Sequence, residues 1–366
     1  MSRHRPRTLL PHFFALICAL ALAYASLQPF APWIAPSPDS PFFIVAPWPP
    51  RWTRFDLAAN VLSYLPFGFF VALMPRRRPP GARLSVAVAA GAALSFTLET
   101  LQMFVPPRDA NLIDLIANTA GAGLGGLAAL AFVGQSRARR ALATWRAHTF
   151  VPGAVGDVGL ALIAVWFVAQ VNPGIPLFAT MYDVAPTVGP AVPGLTSSPD
   201  LAGTLVEATH SAFQLLGVGL VLAVLLRDRR YVGGAVFVLI GAALVVKGIA
   251  ATLLLKPAAW EGWLSPGVST GVGAGALVLT AAIWLPRPMQ VALAAIALLS
   301  SLLVMLLVPD LVLARAPLTL FNWSYGHLLN FNGLTRSILL AWPVAAAIWL
   351  FALAGRPGWG DPGARL

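Results

Sequence analysis

Charge is scarce in this chain. Of 366 residues only 10% are Asp, Glu, Lys or Arg, and 13 acids stand against 24 bases for a formal net charge of +11. Soluble domains carry about a quarter charged residues, so this composition cannot clothe a water-facing surface of ordinary size. Cysteine is almost absent. The single Cys18 excludes a disulfide framework and any CxxC metal or redox site. No HExxH, Walker loop or GxSxG occurs, nor a paired His/Cys set. Zinc hydrolysis, ATP-driven pumping and serine hydrolysis therefore lack support, and neither cofactor nor metal is expected. The basic excess does not point to nucleic acid, because the arginines sit in short clusters between apolar runs, with no basic helix or aromatic-interleaved patch.

What is abundant is apolar sequence: 58% hydrophobic residues and a mean hydropathy of +0.79. Runs long enough to span a bilayer occur near 9–28, 56–74, 84–104, 112–133, 155–171, 205–226, 232–254, 266–285, 289–308 and 337–355. Backbone groups in lipid must be paired internally, and the runs lack the alternation of barrel strands. The fold expected is an all-α polytopic transmembrane bundle of about ten spans. Arg3, Arg5 and Arg7 followed by the first run resemble a signal peptide, but about 19 apolar residues exceed a signal core and read as a span.

Alternate loops differ in charge. One set holds 17 arginines, among them Arg76 to Arg78, Arg137 to Arg140 and Arg227 to Arg230; the other holds six Lys or Arg, including Arg51, Arg108 and Lys256. That bias places both termini in the cytoplasm. The outer loops 29–55, 172–204 and 309–336 are rich in Pro and Trp, as in Pro47-Trp48-Pro49-Pro50-Arg51-Trp52, and should lie along the interface. The basic stretch 134–150 is the expected boundary between a four-helix part, 1–135, and a six-helix part, 150–366.

Polar residues concentrate in the front part. Asp56 and Asn60 are one turn apart at the start of the second run, Glu99 and Gln102 end the third, and Asp114 and Asn118 open the fourth, with Arg108 in the loop between. At ~1.5 Å per residue, Asn60, Glu99 and Asn118 fall about 6 to 9 Å inside their helix ends. A shared polar pocket at the outer leaflet follows, since ionisable groups in a span face the interior. Asp56 can equally be a helix cap, Arg108 a loop ion-pair partner of Asp109 or Asp114, and Pro66 a kink. Gly121, Gly123 and Gly126 match GxGxxG, but without a preceding strand Gly121 and Gly125 read as a packing face, as do Gly271, Gly273 and Gly275.

Asp56-x-x-x-Asn60 with Leu65-Pro66-Phe67-Gly68, Glu99-x-x-Gln102, Arg108, and Asp114-x-x-x-Asn118-Thr119-x-Gly121-x-x-x-Gly125 together resemble the VanZ-like family of bacterial integral membrane proteins, over about residues 10–135. The resemblance implies residence in the bacterial inner membrane and lowered susceptibility to lipoglycopeptide antibiotics such as teicoplanin. It assigns no catalytic role. The remaining six helices lie outside it.

Three functions are then open. The cluster Asp56, Asn60, Glu99, Gln102, Arg108, Asp114 and Asn118 can bind an amphiphilic or anionic ligand, a lipid-linked envelope precursor or a lipoglycopeptide. Alternatively Glu99 and Asp114 are acid/base catalysts on such a precursor, or the protein is a proton-coupled transporter. The absence of an inverted repeat of the signature weakens the last. In the back part, Glu207, His210 and Gln214 share a helix face, and Lys247 lies deep in a span, with Glu207 as a candidate partner. Trp323, Tyr325, His327, Asn330, Asn332 and Arg336 mark the loop before the final span.

Overall fold

A computed structural model of the protein describes residues 8–46, 53–75, 77–106, 108–178, 199–257, 263–307 and 326–356, without the side chains of 136, 199, 200 and 326–330. The Pro47 to Trp52 loop, Arg3 to Arg7, Arg76 and the Trp323 and Tyr325 positions lie outside the described residues, as do the side chains of His327 and Asn330. Among the described residues every regular element is helical: α1 (Leu10–Leu27), α2 (Arg54–Leu73), α3 (Pro80–Gln102), α4 (Leu112–Gly134), α5 (Ser136–Thr149), α6 (Gly153–Ala169), α7 (Pro199–Leu225), α8 (Val232–Leu254), α9 (Pro266–Ala282), α10 (Arg287–Leu307) and α11 (Gly326–Ala354), with one 3-10 turn at Arg229–Tyr231.

Each of the ten apolar runs is a helix, and eight of these are long and apolar enough to cross a membrane. The other two, α6 and α9, have 17 residues each, about 26 Å of helix, at the lower limit for a bilayer core. The stretch 134–150 departs from expectation. It forms the basic helix α5, SRARRALATWRAHT, because Ala, Arg and Leu are strong helix formers. The chain divides into two compact units, Met1–Arg146 and Ala147–Leu366.

In the front unit α4 is the hub, packed against both α2 and α3. A Cβ added to Gly121 would strike the carbonyl of Val61, one at Gly125 that of Leu65, and one at Gly68 that of Ala122, so α2 and α4 touch backbone to backbone. Gly91 on α3 faces Ala122 from the other side. The helix α2 continues unbroken through Pro66. Its end is capped by the buried Arg83, whose Nε donates to the Ala72 carbonyl at 2.8 Å. Helix α1 packs on α2 through the Phe14–Phe70 stack. After α1 the chain folds back on the end of α3, where Ile34 N donates to Phe104 O at 2.9 Å and Phe43 is buried beside Phe96.

In the back unit α7 is central and mostly buried. Gly271 and Gly275 of α9 lie against the backbone of Ala208 and Ala212. Gly273 does not take part. A Cβ there meets nothing within 4 Å, as it falls two residues round the helix from that seam. Two indoles fasten α11 to α6: Trp342 Nε1 donates to Leu162 O at 2.7 Å and Trp349 Nε1 to Val155 O at 2.8 Å.

Candidate functional site

The polar residues of the front unit are placed by the antiparallel register of α3 and α4. Moving down α3 from Glu99 to Ser95 to Gly91 moves down α4 from Asp114 to Asn118 to Ala122. Each step is four residues, one turn. Glu99 and Asp114 are close enough to interact electrostatically, Ser95 accepts from Asn118 Nδ2 at 2.9 Å, and Gly91 meets Ala122.

The upper layer joins three helices. Asn60 Nδ2 on α2 donates to Asp114 Oδ1 at 2.6 Å. Asn111 is the N-cap of α4: its Oδ1 accepts from Asp114 N at 2.9 Å while its Nδ2 donates to Asp114 Oδ2 at 2.9 Å. The backbone N–H of Asn111 donates to Glu99 Oε2 at 3.0 Å. Glu99 is 3% exposed, and its Oε1 receives no hydrogen bond from the described residues. The lower layer is Ser95 and Asn118, beside Tyr64 of α2, which lies within electrostatic reach of Glu99 and Asp114. Asn118 Oδ1 is buried without a hydrogen-bond partner among the described residues, while the Tyr64 hydroxyl lies against Ser95. Buried orphans of this kind mark a place that a water or a ligand group completes.

The other residues of the expected cluster stand apart from these layers. Asp56 forms a capping box with Thr53, accepting from Thr53 N at 3.0 Å and Thr53 Oγ1 at 2.7 Å, while its own N–H donates to Thr53 Oγ1 at 3.1 Å. Gln102 Nε2 donates to Ser26 O at 3.0 Å. Arg108 donates Nη2 to Ala25 O and Nε to Gln28 O, both at 2.8 Å. Arg108 thus closes the end of α1, whose last carbonyls have no partner within the helix. Half-burial draws its pKa below the usual guanidinium value. Asn118, expected level with Asn60 and Glu99, sits one turn deeper than Asp114, because position within each predicted run does not fix how neighbouring helices are offset.

Ser95, Tyr64 and Asn111 complete the site without having been singled out as members of it. The sequence signal for Ser95 is its spacing, one turn before Glu99 on the same helix face. The available chemistry is that of paired carboxylates flanked by amide donors, with an acceptor oxygen to spare. Among the described residues no three His, Cys, Asp or Glu side chains converge as metal ligands would.

The back unit has a separate polar interior. His210 Nδ1 lies 3.0 Å from Ser301 O, and Gln214 Nε2 donates to Ser301 Oγ at 2.9 Å, joining α7 to α10. Glu207 departs from that pair and accepts from Ser265 Oγ, the N-cap of α9, at 2.6 Å. Nor does it meet Lys247. That ammonium, 0% exposed, donates to Asn172 O at 2.9 Å and Ile175 O at 2.7 Å in the segment after α6. Asn172 in turn donates to Asn332 and Thr335 of α11, at 2.6 and 2.7 Å.

Neither the curated proteins nor the solved structures yield a match to this chain. The Asn60, Glu99, Asp114 and Asn118 layers, and the glycine seam beneath them, lie wholly within residues 11–133, the stretch that matches the family model described as VanZ/LLP1.

Proposed function

We propose that the protein is a multi-pass component of the bacterial inner membrane, with about ten crossings and cytoplasmic termini, whose VanZ-like segment engages an amphiphilic envelope ligand at the outer leaflet. The observation that supports this reading is Glu99: a buried carboxyl group with one oxygen held by Asn111 and the other without a partner among the described residues. An acceptor in that position suits a hydroxyl, amide or ammonium group of the ligand. Arg108 contributes by holding the α1 end against the site, since two of its donors are committed to main-chain carbonyls. The ligand class is a lipid-linked cell-wall precursor or a lipoglycopeptide, and the expected phenotype is lowered susceptibility to teicoplanin-type antibiotics.

The same pair of carboxylates favours a second reading, acid/base catalysis on a lipid-linked precursor, with Glu99 and Asp114 as the proton-handling groups. Susceptibility measured with Glu99→Gln and Asp114→Asn, at matched abundance in the membrane, tests the site. Both variants are expected to lose protection, and unchanged protection in both would sink the proposal. Incubating the purified protein with lipid-linked precursors and looking for a changed mass separates the second reading from the first.

A further inference from the structure

At one end of the front unit, formed by the start of α1 and the segment after α2, lies an open cavity that the polar layers do not use. Its volume is about 620 Å³, and it is lined by Thr8, Leu9, His12, Met74, Pro75, Arg77 and Arg78. The two helix ends are held together by the Phe14–Phe70 stack, with ring centroids 4.9 Å apart. A turn fixes the chain below it, Arg78 N donating to Pro75 O at 3.0 Å.

The lining has two chemical halves. Arg77 and Arg78 are exposed and line it together with His12, and no Asp or Glu is among the described lining residues. Leu9, Met74 and Pro75 supply its apolar wall. The cavity also sits where two apolar helices end, the depth at which phosphates meet acyl chains. A free phosphate would use the guanidinium groups and leave the apolar wall in water; a phospholipid satisfies both.

We propose that this cavity is a binding site for an anionic phospholipid of the surrounding bilayer. The headgroup phosphate lies against Arg77 and Arg78, and the glycerol and upper acyl chain run along Leu9, Met74 and Pro75. Arg83 plays no part in it, being buried and committed to the end of α2.

The test uses full-length protein reconstituted in nanodiscs of phosphatidylcholine mixed with phosphatidylglycerol, with retained lipid read by native mass spectrometry. Each cation beside an anionic headgroup contributes roughly a fivefold preference, so the Arg77→Gln/Arg78→Gln pair is expected to lower retention of phosphatidylglycerol over phosphatidylcholine by about tenfold or more. Arg137→Gln/Arg139→Gln removes the same charge from α5 and is expected to leave the preference intact. An equal loss in both pairs, or no loss in the first, overturns the proposal. Displacement of the retained lipid by millimolar inorganic phosphate overturns the lipid assignment in favour of a free anion.

Discussion

Asn60 on α2 donates its amide to Asp114 on α4 at 2.6 Å, and the carboxylate that receives it is held by Asn111 from the other side. Hydrogen bonds between membrane helices contribute on average about 0.6 kcal/mol and at most about 1.7 kcal/mol. A double-mutant cycle with Asn60→Ala and Asp114→Ala, read by unfolding in detergent, is expected to give a coupling near the upper end of that range, because the acceptor is pre-positioned by a second donor. Strictly additive losses would show that the contact carries no energy.

The glycines give a contrast within one residue type. Gly125→Ala drives a methyl group into the Leu65 carbonyl, where neither backbone can yield, and is expected to destabilise the front unit by roughly 1 to 3 kcal/mol. Gly273→Ala enters open space and is expected to be neutral or to stabilise α9 by up to about 1 kcal/mol. Melting temperatures of the two purified variants decide it; equal shifts would remove the seam argument.

Lys247 sets two opposed effects against each other. Its ammonium is costly to bury, yet it supplies the donors for the carbonyls of Asn172 and Ile175. Orphaning a buried acceptor costs about 1 to 3 kcal/mol, and here there are two, so Lys247→Met is expected to lower stability and to raise hydrogen exchange at residues 170–178. Lys256→Met, on the exposed surface, is expected to stay within about 0.5 kcal/mol of wild type. A rise in melting temperature for Lys247→Met would mean that desolvation outweighs the two bonds.

Topology has a direct check. Reporters fused after Arg78 and after Arg140 are expected to read cytoplasmic, and one placed between residues 180 and 200 external, following the unequal distribution of arginine among the loops. An external signal after Arg78 would reverse the orientation and move the Glu99 and Asp114 layer to the inner leaflet.

The apolar runs of the sequence already located the helices, because only a helix satisfies its own backbone over that length of hydrocarbon. Helix α5 was missed as an element for the opposite reason. It has no apolar run to announce it, and its helicity comes from the propensity of Ala, Arg and Leu. The glycine face of Gly121 and Gly125 could likewise be read from spacing, whereas Gly273, inside the same kind of pattern, could not be told from its neighbours until the partner helix was in place.

Composition and spacing alone therefore determined that the chain is helical and suited to a membrane, and that its front part concentrates acids and amides at the ends of three helices. Only the tertiary structure decided which of them meet. The offset between α3 and α4, fixed by Gly91 against Ala122, puts Glu99 beside Asp114 and lowers Asn118 to Ser95. The same packing turns Arg108 towards the carbonyls of α1 and leaves Asp56 capping its own helix. The reason is physical: hydropathy records what lies in a helix, while the register between helices is set by where two backbones can approach, and that is a property of the pair.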